Sequence, residues 1–156
     1  MEYHASIVSP IGPLRIRAME KGICAVDFAD HPVKNSVDAP KFLTDAIGQL
    51  EEYFAGSRRA FTDLPLLVAA TDFQEAVWDA LANIPYGTVR TYGQLAALVD
   101  RPGGAQAIGQ ALTRNPIPII VPCHRIIPST GETGGYAGGA ERKAWLLQME
   151  KGIADM

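Results

Sequence analysis

Cysteine is scarce in this sequence: Cys24 and Cys123 are the two such residues in a chain of 156. Two cysteines provide no disulfide framework, so we expect reduced thiols and a cytoplasmic protein. No apolar run approaches the roughly 20 residues that a membrane helix needs, and the opening residues Met-Glu-Tyr-His lack the pattern of a secretory signal. These absences argue against a membrane partner. The composition, 47% hydrophobic and 20% charged, is typical of a globular protein.

Positive charge is also scarce overall, because the formal net charge is −3. Such a balance by itself disfavours a nucleic-acid partner. The distribution of charge weakens this objection, since the segment from Arg90 to Arg125 contains four arginines and one aspartate. The location of basic residues matters more for nucleic-acid binding than the total charge, so DNA stays a candidate partner.

The hydrophobic pattern divides the chain into two predicted domains, residues 1–69 and 70–156. The first begins with three short apolar runs, separated by turn-forming segments, at residues 5–8, 14–18 and 23–28. This pattern predicts an antiparallel meander. Apolar residues then recur at helical spacing, and the predicted helix ends near Gly56; they are Phe42, Ala46, Leu50, Tyr53 and Phe54. We interpret this half as a scaffold, because no reactive side chains are concentrated in it.

The second predicted domain contains a helix followed by a helix-turn-helix. Residues 71–74 have the pattern of a capping box, and residues 91–94 repeat it. The first box opens a helix with an apolar face made of Phe73, Val77, Trp78, Leu81 and Ile84. The second opens a short helix, which the turn 101–104 joins to another short helix at 105–112. We place small residues on the exposed side of this last helix: Ala107, Gly109 and Ala111. They would allow close approach to a DNA groove, although two packed helices without a DNA role have the same pattern.

The main candidate for chemistry is the run from Pro122 to Arg125, which sets Cys123 beside His124. The apolar segment 115–121 before it predicts a buried strand that would hold the thiol on a rigid element. An imidazole beside a thiol can take its proton, and the thiolate is the form that attacks. A Cys-His dipeptide alone is more often structural than functional, so the assignment depends on the residues around it.

Five segments carry a family resemblance: Ile84–Gly87, Thr91–Ala96, Asn115–Ile127, Gly135–Gly139 and Lys143–Leu147. Over about residues 71–151 the chain closely resembles the O6-alkylguanine-DNA alkyltransferases, also called methylated-DNA–protein-cysteine methyltransferases. The first half agrees loosely, through Ser9–Gly12. The resemblance implies an α+β fold. Its N-terminal lobe would be a ribonuclease H-like antiparallel sheet with a helix, and its C-terminal lobe would be mainly helical and winged-helix-like, with a helix-turn-helix.

The resemblance further implies direct-reversal DNA repair. The family flips an alkylated guanine out of the duplex and transfers its O6 alkyl group to a cysteine, irreversibly and once per protein molecule. The expected partner is therefore double-stranded DNA that contains O6-alkylguanine, approached through its minor groove. We expect the protein to act as a monomer. No cofactor is expected, because the alkyl group is already on the substrate.

Catalytic roles follow from the same resemblance. Cys123 is the expected acceptor, His124 is expected to draw its proton through a water, and Glu150 is expected to orient the imidazole. Tyr92 is the expected hydroxyl donor to the guanine. Asn115 is expected to tie the helical pair to the active-site turn.

The expected substrate-binding residues are Tyr92, Pro118, Ile126, Tyr136 and Ala137. Pro118 and Tyr136 would form walls of the pocket, and the backbone N–H of Ala137 would donate to O6. The backbone carbonyls of Cys123 and Ile126 would accept from the guanine amino group.

The expected DNA-contacting residues lie on and beside the helix 105–112: Thr91, Ala105, Gln106, Gly109 and Arg114. Gln106 departs from the family pattern, because it stands where the family has an arginine that takes the place of the flipped base. Glutamine has similar reach for a hydrogen bond but no charge and less stacking area. We therefore expect weaker base flipping and intact chemistry at Cys123. Arg125 is expected to pair with a carboxylate below the site and not to contact DNA.

Two alternatives stay open at this point. A non-catalytic sensor of alkylated DNA would share the fold, but sensor relatives replace the cysteine, usually with tryptophan. A cysteine hydrolase of the Cys-His-acid type would need an oxyanion hole and a second step that releases the enzyme. His4, Cys24 and His31 do not have a standard zinc spacing, so no metal is expected.

Overall fold

The structure, a computed structural model, describes residues 1–100, 104–131 and 134–156. The chain divides into two compact units, Met1–Ala69 and Ala70–Met156. Among the described residues, each unit has its own sheet, and the first unit has one helix and the second has four. Together they give an α+β protein, as the family resemblance implies.

The first unit is an antiparallel sheet with one helix. Strands β1 (Tyr3–Ser9), β2 (Gly12–Met19) and β3 (Gly22–Phe28) pair in the order β1-β2-β3. Helix α1 (Lys41–Phe54) packs on all three strands. The predicted meander is confirmed, and the strands extend beyond the apolar runs by one or two residues because ladder pairing continues up to the turns.

The core of this unit lies between the sheet and α1. Buried and partly exposed residues alternate along β1 and β2, as in a sheet with one face on a core. The helix contributes Leu43, Ala46, Leu50 and Tyr53 to this core. Leu43 takes the buried position where the sequence pattern predicted Phe42, which is partly exposed.

The second unit contains four helices and a two-stranded sheet among its described residues. The elements in chain order are α2 (Asp72–Ala82), β4 (Arg90–Thr91), α3 (Tyr92–Leu98), α4 (Ala105–Thr113), the 3₁₀ turn Cys123–Arg125, β5 (Ile126–Ile127) and α5 (Ala140–Ala154). Strands β4 and β5 pair in parallel. No periodicity predicted this pairing, because a two-residue strand is too short to show alternation.

Both predicted capping boxes are present. The Thr71 side chain accepts from the Gln74 backbone N–H, and the Gln74 side chain accepts from the Thr71 N–H. Thr91 and Gln94 make the same reciprocal pair at the start of α3. Each box satisfies two backbone donors that a helix start leaves unpaired, which explains why the helices begin at these residues.

The predicted helix pair is also present, since α3 and α4 pack against each other. Three residues of the predicted turn, 101–103, lie outside the described residues. The prediction of an exposed Ala111 is wrong, because its exposed fraction is 2%. Position 111 follows the fully buried Ile108 by three residues and so lies on the same side of α4. The exposed residues of α4 include Gln106 and Gln110 instead.

The prediction of a buried strand at 115–121 is wrong. The segment is a turn in which Pro118 and Val121 form a single bridge. Pro116 and Pro118 have no backbone N–H to donate to a ladder, and Ile119 has a φ of 74°, in the left-handed region. The segment is apolar because it is buried, and its composition therefore resembles that of a buried core strand.

Candidate active site

Cys123 lies at the start of the 3₁₀ turn that follows this segment, and its exposed fraction is 5%. Its backbone N–H donates to the Val121 carbonyl at 2.8 Å, and the Arg125 N–H donates to the Pro122 carbonyl at 3.1 Å. These bonds fix the direction of the turn. The cysteine is therefore held by a tight turn and not by a strand end.

Asn115 supports the turn from the end of α4. Its side-chain Nδ2 donates to the Val121 carbonyl at 3.0 Å, and its Oδ1 accepts from the Ile117 N–H at 3.0 Å. The side chain also hydrogen-bonds Cys123. One buried amide thus links α4, the left-handed turn and the thiol.

His124 and Glu150 form a hydrogen bond of 2.7 Å between Nε2 and Oε2. Both side chains are buried, with exposed fractions of 0% and 1%. An ionised carboxylate can only accept, so the neutral imidazole donates from Nε2 and carries its lone pair on Nδ1. Among the described residues, Nδ1 has no hydrogen-bond partner. The basic nitrogen is thus available to a proton donor.

Arg125 fixes the same carboxylate from the other side. Its Nε donates to Glu150 Oε1 at 2.8 Å, and its NH2 donates to Oε2 at 3.0 Å. Its NH1 donates to the Ile84 carbonyl at 2.8 Å, and its guanidinium lies 5.6 Å from the centre of the Tyr86 ring. The prediction that Arg125 pairs with a carboxylate is confirmed.

Charge in this cluster favours an ionised glutamate. Burial alone would raise the pKa of Glu150, but the hydrogen bonds and charges of His124 and Arg125 outweigh it and lower the pKa to about 2. Burial lowers the pKa of His124, against the opposing effect of Glu150, so the imidazole is neutral near pH 7. Burial raises the pKa of Cys123, and the hydrogen bond from Asn115 only partly offsets this. At neutral pH and without substrate the pair is a thiol beside a neutral base.

Lys143 is a site residue that the sequence patterns did not identify. It lies on α5 with an exposed fraction of 1%. Its Nζ donates to the Ile126 carbonyl at 2.6 Å and to the Gly135 carbonyl at 3.1 Å. Burial lowers the pKa of this ammonium, and its charge in turn lowers the pKa of Cys123. The sequence contains one signal for this role: Lys143 lies seven residues before Glu150, about two helical turns, so both side chains are on one side of α5.

A cavity of about 650 Å³ opens beside Cys123. Seven residues with predicted site roles line it: Tyr92, Gln106, Gly109, Arg114, Cys123, Tyr136 and Ala137. Burial raises the pKa of Tyr92, and it raises that of Tyr136 well above the usual value. Both phenols therefore keep their protons, and the Tyr92 hydroxyl can donate a hydrogen bond into the cavity.

Other predicted site residues lie elsewhere. Pro118 and Ile126 are buried and are not among the described lining residues of the cavity. The Thr91 hydroxyl caps α3, and Ala105 is the exposed first residue of α4. Asn115 lies behind the turn and acts on Cys123 from there.

Within residues 1–100, 104–131 and 134–156 there is no group of three histidine, cysteine or acidic side chains that could hold a metal ion. His4, Cys24 and His31 are therefore not gathered into such a group. In the same part of the chain, no helix has the length and apolar character to cross a membrane.

The fold and the site define a class of protein, in which a buried cysteine and a hydrogen-bonded histidine-glutamate pair lie next to two packed helices, α3 and α4. Two family models agree with this. The 6-O-methylguanine DNA methyltransferase ribonuclease-like domain matches residues 3–68, and the DNA-binding domain of the same family matches residues 72–152. The chain belongs to the 6-O-methylguanine DNA methyltransferase family.

Individual relatives are similar over nearly the whole chain. A methylated-DNA–protein-cysteine methyltransferase of Methanosarcina barkeri is 44% identical over 154 residues, which cover 96% of this chain and 97% of the relative. The crystal structure of the Mycobacterium tuberculosis O6-methylguanine methyltransferase is 41% identical, with a TM-score of 0.85 over 98% of this chain and 94% of that one. A second structure, of Mycobacterium tuberculosis OGT in complex with DNA, is also 41% identical, with a TM-score of 0.85 over 96% and 93%.

Proposed function

We propose that this protein repairs O6-alkylguanine in DNA by transferring the alkyl group to Cys123. The observation that carries the proposal is the position of Cys123 at the wall of a cavity, directly before a histidine that is hydrogen-bonded to a buried glutamate. Membership of the 6-O-methylguanine DNA methyltransferase family supports the same reaction.

In the proposed reaction the Cys123 sulfur forms a bond to the alkyl carbon while the bond between that carbon and O6 breaks. The thiol proton moves through a bridging water to Nδ1 of His124, which has no other partner among the described residues. Glu150 accepts from Nε2 and stabilises the positive charge that then develops on the imidazole. The displaced guanine takes up a proton, so the products are a thioether and an ordinary guanine.

Several groups around the cavity support recognition of the flipped base. The Tyr92 hydroxyl is the proposed donor to the guanine as it leaves with negative charge, because its raised pKa keeps it protonated. The backbone N–H of Ala137 is the proposed donor to O6. The carbonyls of Cys123, which lines the cavity, and of Ile126, which is not among its lining residues, are the proposed acceptors for the amino group. The Ile126 carbonyl already accepts from Lys143 and has a second lone pair.

We assign α3 and α4 to DNA docking through the minor groove. The DNA complex of the 41% identical Mycobacterium tuberculosis protein supports DNA as the partner. Gln106 borders the cavity at an exposed position of α4 and is the residue proposed to fill the space of the flipped base. Ala105, Gly109 and Arg114 would face the same duplex, whereas Thr91 contributes mainly by starting α3.

We further propose a division of roles between the domains, a monomeric state, a cytoplasmic location and a reaction without a cofactor. Residues 1–69 would be a scaffold domain and residues 70–156 the DNA-binding and alkyl-acceptor domain. One chain supplies the acceptor, base and orienting carboxylate, so a monomer suffices. Two free cysteines fit a reducing, cytoplasmic setting. The reaction needs no cofactor, because the substrate carries the transferred group.

The experiment that tests this function counts turnovers. With an excess of an oligonucleotide containing O6-methylguanine, repaired guanine should rise to one equivalent per protein and stop. Cys123→Ala should produce no repaired guanine. Cys24→Ala, a matched control for the other thiol, should behave as wild type. Repeated turnover would support the hydrolase alternative. DNA binding without formation of repaired guanine would support the sensor alternative.

A further inference from the structure

Helix α4 presents two glutamines to the cavity, and the proposed function uses only one of them. Gln106 and Gln110 are both exposed, lie one turn apart on one side of the helix, and line the cavity that contains Cys123. Neither side chain has a hydrogen-bond partner among the described residues. Both amides are therefore available to a bound molecule.

The rest of α4 offers few other polar groups. Its sequence from Ala105 to Thr113 contains no charged residue. The Thr113 hydroxyl donates to the Gly109 carbonyl of the same helix at 2.9 Å. The two glutamines are thus the side chains through which this helix can form hydrogen bonds with base edges.

The surface next to Gln110 is open enough for a duplex to approach. A Cβ added at Gly109 would meet no atom within 4 Å. Gly109 itself lines the cavity between the two glutamines. Close approach of the helix backbone to a groove brings the Gln110 amide within reach of the groove floor.

We propose that Gln110 contacts the minor-groove edge of a G·C pair beside the damaged base, and so gives the protein a preference for a neighbouring guanine. The inference rests on the proposed function and on docking through the minor groove. Side chains one helical turn apart have Cβ atoms about 5–6 Å from each other, and base pairs are stacked about 3.4 Å apart. If Gln106 fills the place of the flipped base, Gln110 lies one or two base pairs away.

The chemistry of an amide explains the choice of guanine. In the minor groove every base pair offers acceptors, and only a G·C pair adds a donor, the guanine 2-amino group. A glutamine side chain both donates and accepts, so it can pair with guanine N3 and the 2-amino group together. A lysine or arginine in its place could use only the acceptors.

The test removes that single amino group. Each duplex contains one O6-methylguanine and, at a single position within two base pairs of it, either guanine or hypoxanthine. Hypoxanthine lacks the 2-amino group, and a set of such duplexes covers every position in turn. Wild type should react about fivefold more slowly with hypoxanthine at one of these positions, the loss expected for one hydrogen bond. Gln110→Ala should react equally with both duplexes. Gln148→Ala, which changes an exposed glutamine of α5 away from the cavity, should keep the wild-type difference.

A converse substrate makes the test symmetrical. Replacing a neighbouring adenine by 2,6-diaminopurine adds a minor-groove amino group and should accelerate wild type but not Gln110→Ala. Equal rates of wild type on guanine and hypoxanthine duplexes would overturn the inference, as would a Gln110→Ala variant that keeps the difference. Reaction with a single-stranded O6-methylguanine oligonucleotide distinguishes failure of the inference from failure of the proposed function, because absence of alkyl uptake from it by wild type would contradict the proposed function itself.

Discussion

His124 Nε2 and Glu150 Oε2 lie 2.7 Å apart in a fully buried hydrogen bond, and the same carboxylate is held by Arg125 through two further bonds. This arrangement fixes which nitrogen of the imidazole is basic. Because Nε2 donates to the carboxylate, the free lone pair lies on Nδ1.

Glu150→Gln should destabilise the protein and slow alkyl transfer. The change removes the anion that pairs with the buried Arg125. Removing one partner of a buried ion pair typically lowers the free energy of unfolding by about 3–5 kcal/mol. An uncharged amide also stabilises a protonated His124 less than a carboxylate does. Urea unfolding at pH 7 and single-turnover transfer from O6-benzylguanine measure the two effects. A variant with wild-type stability and rate would contradict the role of this carboxylate.

The stability of the wild type should fall in acid. The pKa of Glu150 is lowered from 4.5 to about 2, so its ionised form contributes stability that is present above pH 4.5 and is lost as the pH falls toward 2. A shift of this size corresponds to about 3 kcal/mol. Unfolding free energies measured from pH 6 downward should decline more steeply for wild type than for Glu150→Gln. Parallel curves would show that Glu150 is not the group responsible.

His124→Ala should make the reaction strongly dependent on pH. Burial raises the pKa of Cys123, so without a base the thiolate population, and with it the rate, should rise nearly tenfold per pH unit from pH 7 to 8. In wild type the neutral imidazole takes the proton through the bridging water, and the rate should change much less over this range. Transfer from free O6-benzylguanine avoids effects on DNA binding. Equal slopes for the two proteins would contradict the base role of His124.

Lys143→Met should lower stability and raise the pKa of Cys123 further. It removes the donor to two backbone carbonyls, those of Ile126 and Gly135, and leaving the buried Ile126 carbonyl unpaired costs about 1–3 kcal/mol. It also removes a positive charge that favours the Cys123 thiolate. Thermal unfolding and a pH titration of thiolate absorbance, both in a Cys24→Ser background, measure these changes. A thiol titration identical to wild type would show that Lys143 acts through packing alone.

The sequence predicted much of this molecule because its signals are local. The capping boxes at Thr71 and Thr91 and the apolar periods of α1 and α2 depend on neighbours three or four residues away. The segment before Cys123 could not be predicted in the same way. Its residues are apolar because they are buried. Pro116 and Pro118 were a local signal against a ladder, and the left-handed backbone at Ile119 makes the segment a turn.

The candidate site was likewise predictable only in part from the sequence. Cys123 and His124 are adjacent in the chain, and the family resemblance indicated Glu150. The pairing of β4 with β5 and the contacts of Lys143 join residues far apart in sequence, for which a single sequence has no local signal. The exposure of Gln110 and the burial of Ala111 likewise depend on how α4 rotates against its neighbours.

Gln106→Arg should accelerate repair of duplex DNA and leave the reaction with free O6-benzylguanine unchanged. An arginine adds charge and stacking area at the exposed position proposed to fill the space of the flipped base. The rate on duplex DNA relative to the rate on the free base isolates the flipping step. A change of equal size with both substrates would contradict the proposed place of Gln106 in the duplex.

The most direct test of the central claim is the intact mass of the protein after reaction with an O6-methylguanine oligonucleotide, followed by peptide mapping. We expect a gain of one methyl group, located on Cys123, with Cys24 unmodified. Single-stranded DNA should give the full gain, and duplex DNA should give it more slowly because of Gln106. An unchanged mass with both substrates, or a methyl group on Cys24, would contradict the assignment of Cys123 as the alkyl acceptor.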